Sequence, residues 1–561
     1  MAPVSYCAGI GLGHREARVC VVRQQDAADA QLVASESGSR SLPVTLAYSA
    51  GGEWVVGDAA NAQAAKNAKA TIFDVLALLP RDDDDDEGHA LRARLVSSGQ
   101  KTLSVEISEG GQALIVLEPS MDGEPTKITA EEALAKVLAQ LKVVAEDYVG
   151  AKSEDRTVLG CVVACDVQDE TQRLALMRAC KLARLEVLQL VSDAVAVAVA
   201  ACGDFSVAGA AATLQSRKTQ QRIGSVVVLD IGATSARAAK LHRDGDGVFR
   251  VACAARDDSI SGVALTKMLE DHCTTFILRK QKITVSDGGF KAIAKLRAVC
   301  ERSARLLAAG SPQVDVEAEA LVDGVDCRVR VTKALFDDRC SDIFRKIAPL
   351  VQSVVGDSKP EDGAVLLTFA GGATAAAGIR RDAKAVLEAL GLEVCDGYEA
   401  VEAVPVPAGK AASRRERAAE EAATFGAAQQ AALLVFGLDP ENEEPASVNK
   451  AKKKLVCERA DAANLLAQLP FTTTAVWCAW GGDKVLLVAK DSALPRTVTA
   501  TFDIAEAKQL TFSCDERPLA RVDVSAASVD VTLTIDKTAS LKVTVTAAET
   551  EPISFDCPAA L

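Results

Sequence analysis

The sequence predicts an α/β fold that occupies most of the chain and is followed by a small all-β region. Three observations support this prediction: a strand-and-turn motif that occurs twice, strand and helix patterns that alternate up to about Leu434, and short β-branched strands after Phe471. The chain has 561 residues, of which 49% are hydrophobic, so it can bury more than one large core. We therefore expect about two to four folded units.

The repeated motif is intact in its second copy, Val226-Val-Val-Leu-Asp-Ile-Gly-Ala-Thr234, which is an apolar strand ending in Asp230 and a small-residue turn. The first copy, Ala8-Gly-Ile-Gly-Leu-Gly13, has Gly11 where the second has Asp230. A strand that ends in an acid and a tight turn places a carboxylate beside exposed backbone N–H groups, so a metal and a phosphate can bind together. The loss of one acid indicates binding without efficient chemistry.

Either copy alone is typical of a buried strand closed by a glycine turn. The two copies lie about 220 residues apart, and helix and strand patterns follow both. This pairing favours two related halves that face one cleft, which is the architecture of the actin-like, two-lobed nucleotide-binding fold. We predict such a domain over residues 1–436.

Two helices and a strand between them are predicted inside this domain. Thr129-Ala-Glu-Glu132 is a capping box that opens a helix with an apolar face. A second helix follows Glu170, and Val158–Ala164 has the continuous apolar character of a buried strand.

The chain changes character after Phe436. Residues 437–470 are polar and lysine-rich, and we predict a linker there. Residues 471–561 are predicted to form a truncated β-sandwich from short strands rich in β-branched residues, such as Lys484–Ala489, Thr497–Phe502, Val529–Ile535 and Leu541–Thr546. We expect an open strand edge there, with Val485, Leu487 and Val543 available to a partner segment.

Composition excludes several classes of function. The net charge of −14 argues against direct nucleic-acid binding. The 16 cysteines are scattered through apolar patterns and the four histidines are widely separated, so we expect buried free thiols and no structural zinc site. No apolar run is long enough to span a membrane and no signal peptide is evident, so we expect a cytoplasmic protein without membrane contact.

An ordered set of motifs resembles the heat-shock-70 (Hsp70) chaperone family over nearly the whole chain. No single motif is decisive, but their order and spacing together are. The motifs are Gly9–Gly13, Val56–Asp74, Ile128–Gly150, Asp169–Ala194, Leu229–Ser235, Leu296–Leu307, Phe369–Thr374 and Glu420–Leu434.

The resemblance implies an ATP site. It implies that Glu301 binds the ribose and Arg305 lies against the adenine. The residues that it places around the phosphates are Gly11, Gly13, Asp230, Gly232, Ala233, Thr234, Gly371, Gly372 and Ala373. It leaves Asp230 as the main ligand for Mg²⁺, if Mg²⁺ is bound.

The hydrolytic residues of the family are not matched. Leu76 stands where the family has its catalytic lysine, Arg237 replaces an acid, and His14 and Arg15 replace threonines after the first glycine turn. An isobutyl group cannot orient water or offset charge on a γ-phosphate. We therefore expect an ATP-binding pseudo-ATPase with no catalytic residue, that is, not an enzyme.

The truncated sandwich lacks the family's helical lid, and the whole combination resembles the atypical Hsp70 subunit of the ribosome-associated complex. This resemblance implies a co-chaperone that pairs with a J-domain protein of the zuotin type. It would contact the ribosome indirectly and assist nascent-chain folding by stimulating an active Hsp70 chaperone. Two alternatives remain: an ordinary cytosolic peptide-binding Hsp70 chaperone with slow ATPase activity, and a small-molecule kinase on the same actin-like body.

Overall fold

The computed structural model describes most of the chain up to Phe436 and a set of strands after it. The described residues are 4–23, 26–35, 38–64, 66–82, 84, 86–97, 102–109, 111–119, 123–150, 156–167, 169–201, 223–243, 249–356, 363–392, 394–396, 411–436, 476–480, 483–488, 496–503, 509–514, 517–523, 528–535, 541–547 and 553–557.

The first half of the described chain contains strands β1 to β12 and helices α1 to α5. The strands are β1 (Val4–Leu12), β2 (Glu16–Arg23), β3 (Asp26–Leu32), β4 (Leu42–Pro43), β5 (Thr45–Tyr48), β6 (Trp54–Val56), β7 (Thr71–Phe73), β8 (Ser104–Ile107), β9 (Ala113–Leu117), β10 (Thr126–Ile128), β11 (Arg156–Ala164) and β12 (Val187–Val191). The helices are α1 (Asp58–Gln63), α2 (Glu87–Ser97), α3 (Ala130–Val149), α4 (Glu170–Leu182) and α5 (Asp193–Ala201).

The second half contains strands β13 to β19 and helices α6 to α12. The strands are β13 (Ile223–Ile231), β14 (Ala236–Arg243), β15 (Phe249–Asp257), β16 (Gln313–Val322), β17 (Val325–Thr332), β18 (Ala364–Ala370) and β19 (Val394–Asp396). The helices are α6 (Gly262–Gln281), α7 (Gly289–Ala308), α8 (Lys333–Arg339), α9 (Ser341–Phe344), α10 (Ile347–Val355), α11 (Ala377–Ala389) and α12 (Ala411–Phe436).

Each half is built on a sheet with the same strand order. The first runs β12-β11-β1-β2-β3, with β4 also on β2, and the second runs β19-β18-β13-β14-β15. In both, the central strand is parallel to the strand on one side (β1 to β11, β13 to β18) and antiparallel to the strand on the other (β2, β14). The duplication predicted from the repeated motif is therefore present in the strand topology.

The register shows which positions of the two copies are equivalent. Gly11 lies between Ala164 on β11 and Arg18 on β2. Asp230 lies between Ala370 on β18 and Arg237 on β14. Gly11 and Asp230 thus occupy the same place in the two sheets, and each has an arginine beside it on the next strand.

Three buried clusters form the cores of the two halves and the contact between them. One fills the first half and includes Leu138 of α3, and a second fills the other half and includes Leu229 of β13. The third joins the two sheets through β11, β13, α5 and α12, where Ala427 is fully buried. Helix α12 thus packs against strands of the first half and against α5 at the same time.

The capping box of α3 forms as predicted, because Thr129 Oγ1 accepts a hydrogen bond from Glu132 N and the Glu132 carboxylate accepts one from Thr129 N. The predicted strand at Val158–Ala164 is contained in β11, and the helix after Glu170 is α4. These predictions are confirmed. The cysteines whose side chains the structure describes are free thiols, and all of these except Cys253 are buried.

Eight further strands follow: β20 (Val476–Trp480), β21 (Asp483–Val488), β22 (Arg496–Asp503), β23 (Gln509–Cys514), β24 (Arg517–Asp523), β25 (Ser528–Ile535), β26 (Leu541–Ala547) and β27 (Ile553–Cys557). They form two antiparallel sheets of four strands, ordered β21-β20-β23-β24 and β22-β25-β26-β27. The predicted strands are confirmed to within one residue at each end. Val485 and Leu487 lie on an end strand, but Val543 lies on the inner strand β26 and is fully buried, so its predicted availability to a partner is wrong.

The predicted linker at 437–470 lies outside the described residues. The domain boundaries 1–436 and 471–561, and the stacking of the two small sheets into a truncated sandwich, stay predictions. Within the described residues, no helix is both long enough and apolar enough to cross a membrane.

Candidate nucleotide-binding site

A cleft of about 1370 Å³ opens between the two halves. All eleven residues predicted to bind nucleotide line it: Gly11, Gly13, Asp230, Gly232, Ala233, Thr234, Glu301, Arg305, Gly371, Gly372 and Ala373. The structure therefore brings together residues that are scattered over about 360 positions of sequence. Their contacts with a nucleotide stay a prediction.

The turn after β13 is fixed by backbone hydrogen bonds on both sides. Gly232 N donates to Ser235 O at 3.0 Å, and the first two N–H groups of α6, at Gly262 and Val263, donate to Gly232 O and Ala233 O. The carbonyl oxygens of the turn and the side chain of Ser261 therefore cap the N-terminus of a 20-residue helix, which holds the turn in place. Thr234 Oγ1 is buried and has no hydrogen-bond partner among the described residues, so a polar acceptor or donor is missing there.

The turn after β18 depends on Gly371. Its φ is 77°, and a Cβ at this position would lie 2.2 Å from Ile231 O and 2.7 Å from Asp230 Oδ1. Gly371 N donates to Ala419 O of α12 at 3.2 Å. The turn after β18 is thus packed closely against the end of β13 and against α12, and only glycine fits here.

The first copy of the motif lacks its acid for a steric reason. A Cβ at Gly11 would lie 2.2 Å from Thr424 Oγ1, and Thr424 is a buried residue of α12. The threonine side chain fills the space that a carboxylate would need. Gly13 closes the turn, with its N–H donating to Glu16 O at 3.1 Å.

A histidine and an aspartate form a pair on the cleft wall beside this turn. His14 Nδ1 lies 2.6 Å from Asp74 Oδ1, and the two side chains are only 13% and 11% exposed. Asp74 has a left-handed φ of 51°, which is uncommon for a residue other than glycine and is often found at functional sites. With Nδ1 held by the carboxylate, the ring can use Nε2 to orient water or to contact a phosphate oxygen.

Arg305 joins the two halves across the cleft. Its guanidinium lies 2.9 Å from Glu16 on β2 and 3.3 Å from Glu301, four residues earlier on α7. Glu16 is also paired with Arg18 at 2.6 Å, and Arg18 is paired with Glu420 of α12 at 2.8 Å. The predicted adenine-binding arginine is therefore part of a charged network that spans the cleft.

The electrostatics of this network favour the ionised forms. Burial alone would raise the pKa of Glu16, but the charges of Arg305 and Arg18 and the hydrogen bond from Arg305 lower it below its ordinary value. Burial would lower the pKa of Arg305, and Glu16, Glu301 and Glu420 raise it instead. The bridge across the cleft is thus an ion pair at neutral pH.

A second charged group lies on the floor of the cleft, where Asp166, Asp193 and Asp230 surround Arg237. Arg237 Nη1 forms an ion pair with Asp166. Burial raises the pKa of Asp230 to about 6, although the Arg237 charge lowers it. Burial also raises the pKa of Asp193 well above its ordinary value, and the charges of Asp230 and Asp166 add to this.

These residues do not provide a set of free ligands for Mg²⁺. Octahedral Mg²⁺ needs anionic oxygens or firmly held waters, whereas the carboxylates here surround a guanidinium. In the part of the chain that the structure describes, no three His, Cys, Asp or Glu side chains are arranged to hold a metal ion. The role of Asp230 as a metal ligand stays a prediction.

Two equivalent half-sheets around a cleft whose floor is made of glycine turns define a nucleotide-binding domain of the duplicated α/β class. A family profile described as "Hsp70 protein" matches residues 7–413. The chain therefore belongs to the Hsp70 family. The members of this family generally bind ATP with Mg²⁺.

Named relatives agree with this assignment. The "Heat shock 70 kDa protein" of Neurospora crassa is 30% identical over 377 residues, which are 67% of this chain and 52% of the relative. The "Putative heat shock 70 kDa protein 7" of Homo sapiens is 30% identical over 360 residues, covering 64% of this chain and 89% of the relative. The "Heat shock cognate 70 kDa protein 3" of Dictyostelium discoideum is 27% identical over 347 residues, covering 61% and 51%. The chain spans about half the length of several of these relatives.

The family assignment corrects one prediction. We expected a protein that is not an enzyme, but Hsp70 family members are ATPases, so that prediction is wrong. It rested on Leu76, Gly11 and Arg237 together, which stand where the family has a lysine and two acids. The Leu76 side chain is only 2% exposed and belongs to the core of the first half. The sequence did not show that His14 and Asp74 would form a pair on the wall of the cleft.

Several residues of the cleft were not predicted from sequence. Glu16, Arg18 and Asp74 are charged side chains on or beside strands that otherwise read as apolar, and this was the available signal. Asp166 directly follows the run of buried residues that ends β11, at the edge where phosphate turns are found. Glu420 and Thr424 gave no signal, because their part in the site depends on how α12 packs.

We expect the double variant Glu301→Ala, Arg305→Ala to bind ATP at least tenfold more weakly than the wild type. Loss of a charge-assisted contact costs about 1.5–3 kcal/mol, and truncation of exposed helix residues seldom unfolds a domain. Isothermal titration calorimetry measures the affinity. Glu16→Gln is the matched control, because it breaks the cross-cleft ion pair and leaves both adenosine-side residues in place. Unchanged affinity in the double variant would refute the assignment.

Proposed function

We propose that this chain is an ATP-dependent chaperone subunit of the Hsp70 family that works in the cytoplasm with a J-domain protein at the ribosome. The observation that carries the proposal is the cleft between the duplicated halves, where all predicted nucleotide-binding residues meet. Two four-stranded sheets after the nucleotide-binding domain provide a second, separate binding element. This arrangement suits a protein that couples the binding of a nucleotide to the binding of another protein.

In this proposal ATP binds with its phosphates on the three glycine turns and its adenosine beside Glu301 and Arg305. The buried hydroxyl of Thr234, which has no partner among the described residues, favours the phosphate end for an anion. Since the family's members are ATPases, we extend ATP turnover to this chain. The His14–Asp74 pair is the group best placed by chemistry to orient a water molecule at that end.

The partner in the proposal is a J-domain protein of the zuotin type, through which the chain contacts the ribosome and assists an active Hsp70 chaperone with nascent chains. The support is the ordered resemblance of the motifs together with the open edge of the small sheets. Strand β21 is the end strand of its sheet among the described residues, and its last four residues, Val-Leu-Leu-Val488, are apolar. An extended partner segment can pair with such an edge through main-chain hydrogen bonds.

We expect the chain to copurify stoichiometrically with a J-domain protein, and a variant without residues 471–561 to lose most of this partner. The physical reason is that deletion removes the strand edge and leaves the cleft in place. The measurement is affinity purification from cell extract with quantitative mass spectrometry, and ATP binding by each preparation is the control for folding. Full recovery of the partner by the shortened chain would move the docking surface to the nucleotide-binding domain.

The second candidate is a peptide-binding Hsp70 chaperone that turns over ATP slowly without a permanent partner. The two small sheets favour it, since an apolar peptide can bind the same edge as a partner segment. Purified protein distinguishes the two functions. A fluorescent apolar peptide whose binding responds to ATP supports the second candidate, whereas a stable one-to-one complex with a J-domain protein supports the first.

A further inference from the structure

The floor of the cleft contains an arginine whose hydrogen bonds are incomplete. Arg237 is 19% exposed and its Nη1 is paired with Asp166. Its Nη2 is buried and has no hydrogen-bond partner among the described residues. A buried donor without a partner is costly, so this nitrogen indicates an acceptor that binds from outside the protein.

The equivalent arginine of the first half provides an internal comparison. Arg18 occupies the same register position as Arg237, but its guanidinium has two carboxylate partners, Glu16 and Glu420. Arg18 therefore has two carboxylate partners, whereas Arg237 forms one ion pair among the described residues, with Asp166. Of this equivalent pair, the guanidinium beside the intact phosphate turn is the one that retains an unused donor.

A second unused group lies on the same side of the cleft. Thr234 is three residues before Arg237, and its Oγ1 is likewise buried without a partner among the described residues. Both residues line the cleft, together with the turn at Gly232 and Ala233. A hydroxyl and a guanidinium N–H are donors that phosphate oxygens accept from.

We propose that Arg237 is a built-in counter-cation for the nucleotide phosphates, so that this chain binds ATP without a divalent metal ion. The guanidinium lies beside Asp230, the position at which a metal would otherwise be held, and it cannot leave the site. Its Asp166 ion pair fixes its plane, and Nη2 then donates to a phosphate oxygen. This inference rests on the proposed binding of ATP in the cleft.

The experiment measures ATP affinity of the full-length protein by calorimetry in two buffers of equal ionic strength, one with Mg²⁺ and one with EDTA. We expect the two dissociation constants to agree within about threefold. Arg237→Leu should weaken binding in EDTA at least tenfold. Arg237→Asp should bind ATP at least tenfold more tightly with Mg²⁺ than with EDTA, because it returns an acid to the site. Arg256→Leu is the matched control, since Arg256 lines the same cleft on the neighbouring strand and has Asp258 as its own partner.

Binding by the wild type that falls tenfold or more in EDTA would overturn the inference and leave the proposed ATP binding intact. Wild-type affinity of Arg237→Leu in EDTA would overturn it as well. Absence of binding in both buffers would instead refute the proposed function, and the inference with it. The comparison of buffers needs only the wild-type protein, so it decides the question even if a variant fails to fold.

Discussion

Replacing Gly371 with alanine is expected to lower ATP affinity by at least 30-fold, or about 2 kcal/mol, and to destabilise the nucleotide-binding domain by about 2–4 kcal/mol. Gly371 has a φ of 77°, where an L-residue is strained, and a Cβ would lie 2.2 Å from Ile231 O and 2.7 Å from Asp230 Oδ1. Ile231 O is a backbone atom at the end of β13, so it cannot move without displacing the phosphate turn.

Gly324→Ala is the matched control for this prediction. Gly324 has a φ of 78°, but a Cβ there has no atom within 4 Å. It should therefore show only the cost of the left-handed conformation, about 1 kcal/mol, with unchanged ATP affinity. Urea unfolding and calorimetric titration of both variants give the two quantities. Equal behaviour of the two variants would show that the contact with Ile231 has no role in the site.

Gly426→Ala is expected to destabilise the protein by about 2–4 kcal/mol, although alanine is favoured over glycine by about 1 kcal/mol inside a helix. Gly426 lies in α12, and its Cβ would lie 1.8 Å from Ala196 O on α5. The same helix approaches β1 so closely that a Cβ at Gly9 would lie 2.0 Å from Ala428 N. Because α12 packs against both α5 and β1, a methyl group added at Gly426 must push the helix away from the buried cluster that joins the two sheets.

Gly88→Ala tests whether packing is the cause. Gly88 is also helical, but its Cβ would meet the Cδ1 end of Ile107, a flexible side chain that is 47% exposed. We expect this variant to have wild-type or slightly higher stability, measured by the urea midpoint. A stability loss of the same size in both variants would contradict the packing explanation.

The duplication could be predicted from sequence because each copy of the motif is a local sequence pattern. Each copy of the motif is a strand, a turn and a second strand, and such patterns follow from side-chain size and glycine position within about ten residues. The same holds for the capping box at Thr129 and for the strands after Phe471, since caps and alternating β-branched residues are local features. The resemblance of ordered motifs then predicted the family that the profile match establishes.

The roles of Gly11 and Arg305 could not be predicted in full. The absence of an acid at Gly11 was visible, but its reason is the side chain of Thr424, which lies more than 400 residues away in sequence and reaches the site only when α12 packs. Arg305 was expected at the adenine, yet it also forms an ion pair with Glu16 on the opposite wall. Whether two distant charges meet depends on the closure of the cleft, and no local pattern records it.

The sequence by itself determined the α/β class, the repeated phosphate turn, the elements between the copies and the strands at the end of the chain, because short-range sterics and burial patterns dictate them. Only the tertiary structure decided which side chains face each other across the cleft. It placed His14 against Asp74 and filled the space beside Gly11 with the side chain of Thr424. It also left Arg237 Nη2 and Thr234 Oγ1 without partners among the described residues. These contacts join segments far apart in the chain, so they depend on how the two halves and α12 pack and not on the order of residues in any one segment.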